Sequence, residues 1–379
     1  MANQPAETSS EPPGKRARAE WVRVLAGFTR YLTVRGIAVL VTVAIGVYIA
    51  VWVSQLGGYA DELRRKDIIG GVAMSFRGNE EYAAMSTSEK ETYAERAYAA
   101  AIHAAGLDKP FYLRSFKHLA EALSLTLGEV TGPMVHFGSA SARQLLLECL
   151  PTTLLLFATA NLVTFLASLF VSLFLSRRYG SFLDRAVVFL VPVLAAPPWF
   201  HGILLILVFA VFAKILPYGG IVDAPLPQTA FGYALSVLKH MVLPVTAWVL
   251  GTLPLSVYVN RAFFLIHSTE DHVELAKAKG LPSGRIQRRY ILRPVLPTVI
   301  TNFASMLIVA WQGAILIELV FNWHGMGRLL FKAIGYFQVP IIIGAVVIFA
   351  YLLALTVLIL DIVYALVDPR IKLGTRDRP

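Results

Sequence analysis

Glu274-Leu275-Ala276, followed by Ala278, Gly280 and Leu281, is where acidic, small and turn-forming residues crowd into a defined spacing. Such residues break no bonds. On a short helix they let a partner's backbone come close, and Gly280 can take the left-handed conformation of a sharp stop. The chemistry they suggest is docking. Reactive groups elsewhere are scattered. His267, Glu270 and His272 are metal-ligand types, but their order lacks the spacing of a zinc helix and reads as chance, so no metal site is expected. The only Gly-Lys pair is Gly14-Lys15, followed by Arg16, so the chain carries no phosphate-binding loop and does not bind ATP by that route. The single cysteine, Cys149, permits neither an internal disulfide nor a cysteine-rich metal site. His201 has no evident Ser or Asp partner, which makes an intramembrane hydrolase remote and leaves no catalytic residue to assign.

A second group of polar residues is embedded in long apolar runs: His201, Gln312, Glu318 and Asp361. Polar side chains at membrane depth seldom face lipid. Gln312 and Glu318 are therefore read as facing a pore, with interhelical hydrogen bonding as the alternative. Pro192 and then Pro197-Pro198-Trp199-Phe200-His201 must bend their run, because proline removes a backbone donor. The bend, with Pro197, Pro198, Trp199 and His201, reads either as lining a translocation path or as a kink needed for packing. Asn322 to Arg328, with Trp323, Gly325 and Gly327, reads as a tight outer turn near the pore mouth. Asp361 reads as a packing residue. Ion-driven carriers need charged relays at mid-depth, and their scarcity here favours energy supplied by another subunit.

The elements that must position these residues follow from composition. Of 379 residues, 56% are hydrophobic and 15% charged, with a net charge of +10. Soluble domains carry about 25% charged residues. Apolar runs at 37–53, 151–176, 186–216, 241–266, 294–321 and 339–366 are each long enough to cross a bilayer. The chain is expected to be all-α, a polytopic membrane protein with six transmembrane helices. Segments 1–36, 177–185, 261–293 and 367–379 hold 20 Lys and Arg, whereas the much longer opposite segments hold 14. The short loops set the orientation, so both termini are expected in the cytoplasm. The positive charge is thus an orientation signal, and no nucleic-acid partner is expected.

The expected organisation is a cytoplasmic segment at 1–36, a first transmembrane helix at 37–56, an extracytoplasmic helical subdomain at 57–145, a five-helix core at 146–372 and a tail at 373–379. Residues 1–20 read as disordered, and 21–32 either as an interfacial helix or as an extension of the first span. In the outer subdomain, Ser86 and Glu89 form a capping-box pattern opening a helix that stops at Gly106; a second helix should run from Pro110 to about Gly128. In the cytoplasmic loop 268–293, Ser268-Thr269-Glu270-Asp271 reads as another capping box and Ser283 as the cap of a second short helix.

That loop resembles the EAA loop of permease subunits of binding-protein-dependent ABC importers, and Ala276-Lys277-Ala278-Lys279-Gly280-Leu281 is similar to the version in the oligopeptide/dipeptide branch. Leu275 and Tyr290 depart from the general motif. Leu150-Pro151-Thr152-Thr153, Gly180-Ser181-Phe182-Leu183-Asp184-Arg185, Leu216-Pro217-Tyr218-Gly219-Gly220, His240-Met241-Val242-Leu243-Pro244, Glu318 to Gly327 and Asp368-Pro369-Arg370-Ile371 resemble the same branch in the same order. The resemblance implies the ABC type I importer permease fold in a bacterial or archaeal plasma membrane. It implies Glu274, Ala276, Ala278, Gly280 and Leu281 as the ATPase-coupling residues. The implied partners are a homologous second permease subunit, expected to be non-identical, two cytosolic ABC ATPase subunits that hold ATP and Mg, an extracytoplasmic solute-binding protein and the lipid bilayer. The implied cargo is di- or oligopeptides, with nickel complexes or oligosaccharides as alternatives; a stand-alone ion-coupled carrier or channel is the reading from a different class. The chain itself is expected to be no enzyme and to hold no cofactor.

Overall fold

The computed structural model describes residues 13–56, 58–77, 79–130, 141–194, 196–313 and 315–367. Among them the regular elements are helices, and an isolated bridge pairs Glu129 with Ser141. Helix α1, Pro13–Gln55, runs unbroken from the basic head through the first apolar run. Residues 21–32 thus extend the first span. Residues 13–20, expected as disordered, are helical.

Four helices occupy the segment expected as an outer subdomain: α2 Tyr59–Ser75, α3 Glu80–Ala84, α4 Thr87–Ala104 and α5 Phe111–Leu123. Ser86 and Glu89 close the expected capping box on α4, and Gly106 follows at φ 71°. Helix α5 ends at Leu123, short of the expected Gly128, because Leu125 takes φ 54° and turns the chain. Arg114 of α5 donates twice to Asp61 of α2, at 3.0 and 2.7 Å. Tyr48 of α1 stacks on Phe116, with centroids 5.5 Å apart. These contacts seat the subdomain on the outer end of α1.

At the centre α6, Ala142–Ser176, packs along a later helix, Ala230–Ser268. Between α6 and that helix the third apolar run is broken into α7, Phe182–Val193, and α8, Pro198–Leu205, which continues as a π-helical stretch Ile206–Phe212; the two halves are bent by 96°. The helix Ala230–Ser268 is α9. Lipid tails give helices no hydrophobic reason to associate, so polar and small residues carry the contact. Thr164 and Thr252 hydroxyls meet at 3.4 Å, and Asn260 Nδ2 donates to Ser168 Oγ at 3.2 Å.

The remainder is α10 Asp271–Ala278, α11 Ser283–Arg285, a π-helical stretch Ile286–Leu292, α12 Arg293–Gly313, α13 Ile315–Val320, α14 Met326–Gly335 and α15 Val339–Val367. Arg35 of α1 pairs with Asp361 of α15 at 2.8 Å, consistent with Asp361 as a packing residue. Among the described residues four helices are individually long and apolar enough to cross a bilayer, at 29–55, 142–176, 230–268 and 339–363, and the bent α7–α8 pair makes a fifth. Helices α12 and α13 cover the remaining predicted run, so helix occupies all six.

Candidate functional site

Two constructions place the residues singled out by sequence, one at each end of α9. At the end nearer Ser268 the chain leaves α9, and Glu270 is the N-cap of α10 without a side-chain bond. Ser268 does not cap it as expected; it remains in the last turn of α9, its hydroxyl donating to the Leu265 carbonyl at 2.7 Å. Ser283 likewise is not a cap. It is the first residue of α11, with Pro282 in the cap position.

Helix α10 ends as the glycine requires. Gly280 N donates to the Lys277 carbonyl at 2.9 Å and Leu281 N to the Ala276 carbonyl at 3.3 Å, the paired bonds of a Schellman stop, with Gly280 at φ 70°. No heavy atom lies within 4 Å of a Cβ built there, so conformation alone selects glycine. Val273 and Ala276 are buried in a cluster with Phe264 of α9 and Ile286, Ile291, Val295 and Val299. Helix α10 and the π-helical stretch Ile286–Leu292 therefore form one body with the end of α9.

Glu274, Ala278 and Gly280 are exposed, and Leu281 is half-buried. Ala276 is not available to a partner, because it faces the subunit's own core. Leu275, which broke the motif in sequence, is instead the large apolar side chain on the free face, 57% exposed. Glu270 lies between two imidazoles, with His272 Nδ1 at 3.2 Å and His267 Nε2 at 3.6 Å. Among the described residues no three His, Cys, Asp or Glu side chains are grouped to hold a metal ion.

At the opposite end, Glu318 is fully buried. Read from sequence as facing a pore, it opens onto no surface of this subunit: its carboxyl group is enclosed by donors of its own chain. Thr153 Oγ1 donates to it at 2.7 Å and Arg328 N at 3.0 Å. Thr153 Oγ1 also accepts from Met326 N at 2.7 Å. An acidic side chain is thus held at the first turn of α14, where unpaired backbone N–H groups offer it donors. The expected tight turn is present, and Trp323 at its start is buried, its Nε1 donating to the Thr152 carbonyl at 3.1 Å. Gly325 and Gly327 are small for steric reasons: a Cβ at Gly325 would lie 2.4 Å from the Glu318 carboxylate, and one at Gly327 2.7 Å from Ile315 Cα.

The same latch gathers other stretches that are far apart in sequence. Gly220 N donates to the Phe321 carbonyl at 2.8 Å, and a Cβ at Gly219 would lie 2.5 Å from that oxygen. Ser236 of α9 accepts from Asp223 N and donates to Asp223 Oδ2, both at 2.8 Å. That hydroxyl, helped by the charge of Lys239, holds the Asp223 carboxyl below the usual carboxylate range.

Of the bend residues, Pro197 caps α8 and Pro198 opens it, lying where a Cβ on Gly251 of α9 would come within 2.9 Å. Trp199 packs on the cluster that holds Phe157 and Trp248. His201 is buried, its Nδ1 without a hydrogen-bond partner, so it too faces the subunit's interior and not an open surface. The Gln312 side chain and the Asp368-Pro369-Arg370-Ile371 stretch lie outside the described residues.

Comparison with known proteins places the chain in a family. The chain is 30% identical over 296 residues to the di/tripeptide transport system permease protein DppB of Pseudomonas aeruginosa, covering 73% of this chain and 85% of that one. It is 30% identical over 270 residues to the oligopeptide transport system permease protein AppB of Bacillus subtilis, covering 70% and 82%. A solved chain of the MetNI methionine ABC transporter in inward-facing conformation aligns at 17% identity with a TM-score of 0.46, over 63% of this chain and all of that one. Residues 165–373, more than half of the chain, match the description "binding-protein-dependent transport system inner membrane component". The chain, with its α9–α10 knob and its helical core, belongs to that family.

Proposed function

We propose that this chain is the transmembrane subunit of an ATP-driven ABC importer and forms half of the translocation pore for di- or oligopeptides. The observation that carries the coupling half of this reading is the α10 knob. It projects a short helix stopped by Gly280, with Glu274, Leu275 and Ala278 free, from the side that the short basic loops assign to the cytoplasm. A cytosolic ATPase that grips the free face moves α9 with it, because Val273 and Ala276 are packed on Phe264. The peptide half of the reading rests on the di/tripeptide and oligopeptide relatives.

In this mechanism a loaded binding protein docks on the outer face. ATP binding draws the two knobs of a permease pair together, the half-pores open outward, peptide enters, and hydrolysis on the ATPase resets the pore. The chain supplies the passage and the coupling surface; ATP and Mg belong to the ATPase. Both termini lie in the cytoplasm, and the membrane is the plasma membrane of a prokaryote.

The test is reconstitution of this chain with its co-purifying subunits in vesicles and measurement of peptide uptake. Uptake that requires ATP and ceases in Glu274→Arg, with the complex still inserted, supports the reading. Recovery of a lone transporter whose uptake survives ATP depletion overturns it.

A further inference from the structure

We propose that the buried ion pair between Asp184 and Arg261 is the tether by which the coupling knob moves the third membrane span, which makes both of them positioning residues for transport. The inference rests on the coupling reading above. Helix α7 packs against α9, while Phe182 and Phe189 turn outward, 84% and 70% exposed. In lipid, apolar contact gives such a helix little reason to stay on its neighbour. The specific attachment is polar. Arg261 Nε and Nη2 both donate to Asp184, the latter at 2.6 Å, and both residues are buried.

The pair is also fixed from its surroundings. Gly180 N donates to Asp184 Oδ2 at 2.9 Å, Ser181 caps α7 through Asp184 N, and the Tyr179 ring lies 5.3 Å below the Arg261 guanidinium. A bidentate guanidinium–carboxylate pair fixes direction as well as distance. Arg261 stands one turn before Phe264, the side chain on which Val273 and Ala276 of the knob are packed. A continuous path therefore runs from α10 through Phe264 and Arg261 to Asp184, α7 and the 96° bend into α8. Motion of the knob thus reaches the bend from the α7 side through this pair, beside the direct packing of Pro198 on Gly251 of α9 from the α8 side.

Replacing a buried ion pair by a neutral pair of similar size commonly preserves stability, whereas removing one partner does not. The double variant Asp184→Asn/Arg261→Met therefore separates packing from transmission. In reconstituted complex it should assemble and hydrolyse ATP as the parent does, with peptide moved per ATP lowered about tenfold. Peptide moved per ATP at the parent level would overturn the proposal. A second measurement needs no change at the pair: spin labels at Phe189→Cys on α7 and Ile266→Cys on α9, both exposed, should give one distance distribution with and without trapped ATP. A distribution that shifts with nucleotide means α7 slides on α9 and refutes the tether. If uptake by the parent complex does not depend on ATP, it is the coupling reading that fails, and the label distances still report on the tether.

Discussion

Substituting Gly325 by alanine isolates the latch that holds the outer end of the molecule. Gly325 has φ −129° and ψ 178°, extended backbone open to any residue, so its cost is purely steric. The new Cβ would lie 2.4 Å from Cδ and Oε1 and 2.5 Å from Oε2 of Glu318. Ordinary carbon contacts are about 3.5–4.0 Å, so roughly 1 Å of overlap must be relieved. The carboxylate cannot simply retreat, being fully buried and held at 2.7 Å by Thr153 and 3.0 Å by Arg328 N. Displacing it breaks two hydrogen bonds and strands two buried donors, each left unsatisfied at about 1–3 kcal/mol. Overpacking alone costs about 1–3 kcal/mol, so loss of these bonds sets the size of the effect at roughly 2–6 kcal/mol.

The assay is thermal inactivation of the detergent-solubilised protein, followed as the fraction that stays monodisperse, for a double-mutant cycle with Glu318→Ala. Glu318→Ala alone is destabilising, because it leaves the Thr153 hydroxyl and Arg328 N without an acceptor. In that background, however, the added methyl at 325 enters vacated space, and its cost falls below about 1 kcal/mol. An equal penalty for Gly325→Ala in both backgrounds would refute the argument, since the clash would then lie elsewhere.

Gly280→Asn should transport nearly as the parent, because Asn tolerates the left-handed conformation, whereas Gly280→Val should cost about 1–2 kcal/mol locally and lower ATP-driven uptake while membrane insertion is retained; equal uptake by the two variants would contradict the Schellman stop as the reason for glycine. Asp61→Ala removes the acceptor of both Arg114 bonds, and hydrogen exchange in α2 should rise while that in α9 stays unchanged. The Asp223 carboxyl is held below its ordinary range, so its bond to Ser236 contributes fully above the ordinary carboxylate pKa and is lost as pH falls through the lowered value. Proteolysis of the loop before α9 should accordingly accelerate on acidification, and Ser236→Ala should weaken that pH dependence, leaving the part due to Lys239.

Much of this architecture is legible along the chain because it is dictated by local energetics. Apolar runs longer than the hydrocarbon core must be helical, since an unpaired backbone group in lipid costs several kcal/mol, and α1, α6, α9 and α15 each appear where such a run stands. The α4 capping box and the Gly280 stop also follow from residues within one turn of each other. Ser268 shows the limit of that reasoning. Its neighbours spell a capping box, but α9 continues through it because Phe264 and the knob pack as one cluster, and packing outweighs one cap bond.

Tertiary structure alone decided what the polar residues inside the apolar runs do. Glu318 and His201 look alike in sequence, as polar groups that seldom face lipid, and only the fold shows both turned inward, one satisfied by Thr153 and Arg328, the other with an unpartnered nitrogen. The outward face of α10 depended likewise on which side met Phe264, so Ala276 and Leu275 exchanged the places their types suggested. Asp184 and Arg261, 77 positions apart, were a loop residue and a topology charge until α7 lay on α9. Sequence by itself determined the helices and the glycine stop of α10, because each depends on neighbouring residues and on the solvent around them. Which polar group meets which depended on long-range packing, because a buried carboxylate takes its role from donors that other helices bring to it.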